Sequence, residues 1–425
     1  MTPLQIASVV LVLSAASGTF NYFFLRLPAS IGIMITALLG SVVVLAVDHL
    51  HPGLHLAVQV REWVAALAFS GSLLDGMLGL LLFAGALHVS LKDLRREALP
   101  VLLLATLGVA ISTAIVAAGF SWVSGMPILI ALVFGALISP TDPVAVLGIL
   151  QDANIRKSLE TKIAGESLFN DGVGYVVFLL LVGLAFPSAG AHGGSSIDPA
   201  AVALLFIREA VGGAALGAAL GWGVFQLMRR INDYPLEVML TLALAFGGYE
   251  LALALEVSAP IMAVVAGLMI GNVGRRDAMS EETRTYVDGF WRLIDEILNA
   301  ALFLMIGMEI FQLSFTSDMA VALPAAVGLA LLARLLSVAL PILLLRPIRR
   351  EGRDVVPLMT WGGLKGGISV ALALSLPESE WKALILAATY AVVVFSILVQ
   401  GLTLGRFARW LNQKEKPRPK VSSMV

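Results

Sequence analysis

The chain has 425 residues, 59% of them hydrophobic and only 13% charged, whereas a water-soluble domain carries roughly 25% charged residues, so most of it is expected in lipid. A formal net charge of -1 argues against nucleic acid as a partner, because a polyphosphate needs a basic face. Cysteine is absent, which excludes disulfides, thiolate metal sites and a cysteine nucleophile.

The N-terminus lacks a charged leader and a cleavage site, and reads as a first span rather than a removed signal. Apolar stretches bounded by charges, Pro or Gly fall at residues 4–24, 27–47, 72–91, 98–121, 127–151, 158–187, 200–229, 235–255, 258–272, 285–311, 320–345, 357–375 and 383–409. These thirteen stretches predict an all-α polytopic membrane protein, within the roughly 12 to 14 spans that a chain of this length can hold. An odd count puts the termini on opposite sides, and the placement of Lys and Arg tests it. On one side lie Arg26; Lys92, Arg95 and Arg96; Arg156, Lys157 and Lys162; Arg229 and Arg230; Arg275, Arg276 and Arg284; and Arg346, Arg349, Arg350 and Arg353. With six more from Arg406 to Lys420 these make 22 of the 28 basic residues. The other side has Arg61, Arg208 and Lys382, while Arg292, Arg334 and Lys365 fall inside spans. The expected topology is therefore an inner-membrane protein with the N-terminus outside and the C-terminus cytoplasmic. Residues 1–410 form a single transmembrane unit and residues 411–425 a short cytoplasmic tail.

The connection Pro187–Ala200 falls between the sixth and seventh stretches and marks a seam between two six-span halves. Seven spans separate the fifth from the twelfth. An odd separation inverts one half relative to the other, as in inverted-repeat transporters whose sites lie at the repeat interface.

The fifth stretch contains Ser139-Pro140-Thr141-Asp142-Pro143. Pro140 and Pro143 remove two backbone donors and bias the residues before them away from helical geometry, so the span should unwind there. Such a break is tolerable only against a wet cavity, where it gathers carbonyls, helix ends, the Thr141 hydroxyl and the Asp142 carboxylate. The twelfth stretch contains Trp361-Gly362-Gly363-Leu364-Lys365-Gly366-Gly367, whose glycines weaken the helix by roughly 1 kcal/mol each. Lys365 could neutralise the facing C-termini of a crossed pair of broken helices.

The sixth stretch contains Gly165-Glu166-Ser167-Leu168-Phe169-Asn170-Asp171-Gly172. Helical spacing puts its polar groups on two adjacent stripes facing inward, and ionisable residues at that depth are functional by default. Proton and cation would compete for the same carboxylate oxygens, and if Asp142 and Asp171 lie close they titrate as a pair. Arg334 in the eleventh stretch needs a fixed anion, for which Glu166 is the choice. Asp75, Glu209, Glu250, Asp295, Glu296 and Glu309 lie near span ends or beside Arg208 and Arg292, and read mainly as structural.

Taken together, Gly165–Gly172, Thr141-Asp142-Pro143, Ala333-Arg334, Trp361–Gly366 and Arg26-Leu27-Pro28 resemble the sodium/proton exchangers of the first monovalent cation:proton antiporter family, of prokaryotic NhaP type. The resemblance implies thirteen spans, a fold with crossed discontinuous helices, a homodimer, and elevator-like movement of a core domain, formed by spans near residues 98–187 and 320–409, against a dimer domain formed by the rest. It implies that Asp171 binds Na+ or H+, that Asp142, Ser167 and Thr141 help ligate the ion beside Asn170, and that Glu166 and Arg334 form a structural bridge. Asn followed by Asp implies electroneutral one-for-one exchange, with no cofactor beyond the transported ions. Two departures stand out. Many relatives carry Glu in a Phe-Glu-Gly-Ala-Leu stretch where this chain reads Phe83-Ala84-Gly85-Ala86-Leu87, and many carry Arg in place of Lys365. The tail after Trp410 is 15 residues, too short for the regulatory domain of animal exchangers. From the residues alone, two other readings stay open: proton-coupled movement of another small solute, and an intramembrane enzyme using Asp142 and Asp171 as an acid-base dyad.

Overall fold

The computed structural model describes the chain apart from residues 1–2, 52, 54, 57, 62–63, 65–70, 153–154, 187–198, 314–318, 350 and 416–425. The seam connection Pro187–Ala200 therefore falls almost wholly outside the described residues, as does the side chain of Asp75. Among the described residues each of the thirteen apolar stretches coincides with helix.

The chain begins with α1 (Pro3–Phe20, continued by a π turn to Leu25), α2 (Ala29–Leu50), α3 (Gly71–His88), the short α4 (Leu91–Arg96) and α5 (Ala98–Ser124). The fifth stretch is two helices, α6 (Ile128–Ile138) and α7 (Val144–Asp152). Single helices follow: α8 (Lys157–Ala185), α9 (Pro199–Met228), α10 (Tyr234–Ala254), α11 (Ala259–Met269, continued to Gly274), α12 (Glu281–Met308) and α13 (Met319–Leu345). The twelfth stretch is again two, α14 (Val355–Trp361) and α15 (Gly367–Leu374), and α16 (Lys382–Phe395) runs on through a π turn to Glu415. Eight of the described helices are long and apolar enough to cross a membrane by themselves; the remaining stretches are broken, shorter or, in α12, rich in acids. The start of α12 lies four residues ahead of the predicted start at 285, because Ser280 caps it by accepting from the Thr283 amide at 3.1 Å with Glu281 and Glu282 in the first turn.

Lipid offers no hydrophobic drive between helices, so close packing of small residues carries much of the association. Gly267 and Gly271 of α11 rest on the Phe83 and Leu87 carbonyls of α3, where a Cβ would overlap backbone. On the other side of the molecule α5 packs on α6 and α13, α6 on α8, and α13 on α16. Large apolar side chains such as Trp122, 87% exposed, and Leu4, 77% exposed, face outward, a surface that lipid would cover.

One cluster of charges near the span ends is buried. Lys162 is 1% exposed, because α4 and α5 cover the first turns of α8, with Leu94 and Val101 seated on Gly165. Its ammonium lies 2.5 Å from Glu351 and 3.3 Å from Glu97. Arg349 donates to Glu97 at 2.6 Å and sits 3.0 Å from Glu351, and Arg156 pairs with buried Asp354. These contacts bring Glu97, Arg156 and Lys162 together with Arg349, Glu351 and Asp354 on one face of the molecule. Removing one partner of a buried ion network leaves uncompensated charge, so Lys162→Ala is expected to lower stability by about 3 to 5 kcal/mol. A melting temperature in detergent equal to that of the parent protein would refute the burial of this network.

Candidate ion-binding site

The interruption between α6 and α7 leaves carbonyls that proline cannot help to satisfy, and the break between α14 and α15 supplies their partners. The Lys365 ammonium donates to the carbonyls of Ser139 at 2.8 Å and Pro140 at 3.2 Å. In return the Asp142 amide donates to the Leu364 carbonyl at 2.8 Å. The Lys365 amide donates to Ser396 Oγ at 2.9 Å, and Gln400 donates to the Trp361 carbonyl at 3.1 Å, so α16 satisfies what the crossing does not. A cation thus stands at the carbonyl end of α6, while the Asp142 carboxylate lies against Gly366 at the amino end of α15. Both placements oppose the helix dipoles favourably. A Cβ on Gly366 would overlap that carboxylate, and one on Gly363 would overlap the Arg334 side chain. The glycines of this segment serve close approach.

From α8 come four buried polar side chains, Glu166, Ser167, Asn170 and Asp171, none more than 5% exposed. Glu166 receives a two-pronged ion pair from Arg334, in which NH2 donates to Oε2 at 2.9 Å and NH1 to Oε1. Arg334 Nε also donates to the Met359 carbonyl at 3.1 Å, so this guanidinium ties α8, α13 and α14 together. Asn170 accepts from the Thr141 amide at 3.3 Å and donates to the Thr141 hydroxyl at 2.9 Å. The Thr141 and Ser167 hydroxyls are 2.9 Å apart. These bonds fix the unwound segment onto α8. Asp171 differs from its neighbours: its Oδ1 is buried and has no hydrogen-bond partner.

A cavity of about 650 Å³ reaches this point. Pro140, Thr141, Asp142, Pro143, Asp171 and Gly366 border it. Ser167 and Asn170 stand behind Thr141, while Lys365, Glu166 and Arg334 lie off the cavity on the far side of the crossing. Its mouth is formed by His88, Ser90, Asp93, Lys157 and Glu160, on the face that carries the ion cluster. Lys157 lies 3.0 Å from Asp93, and its hydrogen bond holds the Asp93 carboxyl below the usual carboxylate range. A lowered value means that this pairing is present at neutral pH and is lost only as pH falls through that value.

Ala84 is buried, its carbonyl accepting from His88 Nδ1 at 2.8 Å, and the adjacent Gly85 borders the cavity instead. Of the other intramembrane acids, Asp295 borders the cavity. Periodicity alone could not separate it from Glu296, since both lie in an acid-rich helix.

The donors converging at the closed end are carboxylate, carbonyl and hydroxyl oxygens. Such a set suits a hard cation or a proton, and not a soft transition metal. Among the described residues no group of three or more His, Cys, Asp or Glu forms a metal cluster.

The chain is similar in sequence and in fold to known proteins. The family described as sodium/hydrogen exchanger, transmembrane, matches residues 9–410. The Na(+)/H(+) antiporter NhaP of Pseudomonas aeruginosa is 48% identical over 417 residues, 96% of each chain. The Na(+)/H(+) antiporter NhaH of Halobacillus aidingensis is 35% identical over 340 residues, 79% of this chain and 82% of its own. Among solved structures, the sodium proton antiporter MjNhaP1 from Methanocaldococcus jannaschii superposes with a TM-score of 0.75 at 18% identity, covering 95% of this chain and 97% of its own, and shares the fold. By sequence over nearly its whole length, the chain belongs to the sodium/hydrogen exchanger family.

Proposed function

We propose that the protein is a secondary antiporter exchanging a monovalent cation, Na+ with Li+ or K+ as alternatives, for H+. One observation carries the reading: Asp171 has an unpartnered, buried carboxylate oxygen and lines a cavity that is also lined by the exposed Lys157 at one face of the molecule. In water that oxygen would hold several hydrogen bonds, and its burial is costly unless a proton or a cation occupies it. The relatives' names, which describe Na(+)/H(+) antiporters, support the same ion pair.

In this cycle a cation entering from the mouth takes oxygens from Asp171, Asp142 and Thr141, with Ser167 and Asn170 holding Thr141 in place. Release of the cation leaves Asp171 to take a proton. One carboxylate thus carries one cation or one proton, and the exchange is one for one. Lys365, Glu166 and Arg334 hold the broken helices in register. Helices α5–α8 and α13–α16 form the moving core, and the rest form the scaffold of a homodimer in the inner membrane. Because basic loops collect in the cytoplasm, the open mouth faces the cytoplasm, with the C-terminus on the same side.

The test is flux in proteoliposomes containing the full chain, with internal pH followed while Na+, K+ or Li+ is added outside. A cation-dependent pH change that needs no membrane potential is the expected result, and its absence for all three ions refutes the reading. Asp171→Asn, which cannot alternate between charged and neutral forms, is expected to reduce exchange to the protein-free rate while the folded yield is unchanged. Retained turnover in this variant would remove Asp171 from the mechanism. Arg334→Ala strands Glu166 in the interior and is expected to cost about 3 to 5 kcal/mol, seen as a lowered melting temperature. An unchanged melting temperature would show that the bridge is dispensable.

A further inference from the structure

The wall that α12 contributes to the cavity carries groups that the exchange cycle leaves unused. Arg292, Asp295, Asn299 and Leu302 border the cavity, and their spacing of three, four and three puts them on one face of the helix. Leu302 packs on Gly367 at the start of α15 and so marks the depth of the crossing. Asp295, seven residues earlier in the chain, stands about 10 Å nearer the mouth along the helix axis. The acids of the mouth itself, Asp93 and Glu160, lie on other elements, α4 and α8. Acidic side chains therefore line the cavity at three levels, of which Asp295 is the middle one.

Asp295 is also held. The Asn299 side-chain amide donates to the Asp295 backbone carbonyl at 2.8 Å and to its Oδ1 at 3.1 Å. Asn299 is 4% exposed, so the clamp is packed in place rather than free to follow the solvent. An amide that donates twice to one residue fixes the orientation of that carboxylate on the cavity wall. A carboxylate at this depth is costly, and helix packing gives no reason to prefer it to the many apolar residues around it. A hydrated cation gives one. Stepwise exchange of water for carboxylate oxygens along the cavity spreads the cost of dehydration.

We propose that Asp295 is a loading carboxylate, a transient binding position for a hydrated monovalent cation on its way to Asp142 and Asp171, with Asn299 as its positioning residue. The assignment rests on the exchanger reading, and one preparation tests the two separately. With the axial step of about 10 Å between Asp295 and Leu302 taken as the separation, removing a unit charge should weaken apparent cation affinity by about two-fold if the cavity behaves as bulk water, and by about fifteen-fold at an effective dielectric of about 20.

In proteoliposomes of the full chain, Asp295→Asn is expected to raise the half-saturating Na+ concentration within that range, with the maximal rate held to within about two-fold of the parent. The difference should shrink with about 1 M choline chloride on both sides, where the screening length falls to about 3 Å. Asp295→Glu should restore the parent value, and Asn299→Ala, which keeps the charge and loses its placement, should give a smaller rise. An unchanged half-saturation in folded Asp295→Asn overturns the proposal, as does a rise that ignores salt. Should Asp295→Asn fail to fold, Asn299→Ala decides, and an unchanged half-saturation there overturns it. A parent protein without Na+-dependent flux overturns the exchanger reading instead.

Discussion

Backbone polar groups released inside a membrane must be paired, and the crossing of two broken helices is the solution on which the rest of this molecule depends. Each break supplies what the other lacks: Leu364 offers a carbonyl to the Asp142 amide, and Lys365 offers an ammonium to the Ser139 and Pro140 carbonyls. The exchange of partners explains the residue types. Proline stops α6, glycine lets the segment between α14 and α15 come within contact of Asp142, and lysine is long enough to reach across. An arginine at this position would bring a larger, planar head with more donors, so the lysine is matched to two carbonyls on one short arc.

The breaks have a second consequence, since they free oxygen atoms at a depth where a continuous helix would bury every one in its own ladder. Asp142 and Asp171 then share a recess with Thr141. Neighbouring residues of α8 divide their labour accordingly. Glu166 is spent on Arg334, Ser167 and Asn170 are spent on Thr141, and Asp171 alone keeps a buried oxygen without a partner among the groups of this cluster. Four polar side chains within six residues therefore do three different things.

Much of this was legible in the sequence for physical reasons. Helices in lipid must satisfy their own backbone, so long apolar runs and the sidedness of Lys and Arg give the order of spans directly. Pro140, Pro143 and the glycines around Lys365 announce the breaks because few other residues do so. What could not be read was which buried groups meet across the chain. Lys162 looked like any basic residue near a span end, yet tertiary packing buries it between Glu97 and Glu351, and no local periodicity encodes a contact between residues so far apart. Asp295 was indistinguishable from Glu296 for the same reason. Only the turn of α12 against the cavity separates them.

The guanidinium of Arg334 grips both Glu166 of α8 and the backbone of α14 at Met359, so the two halves of the recess are bolted to a common frame. In the proposed cycle the recess then travels without being taken apart, and its oxygens keep their mutual distances whichever compartment they meet. Such a carrier has the same intrinsic preference for its ions at either end of the journey. The transmembrane gradients, and no built-in rectification, would decide which way net flow runs.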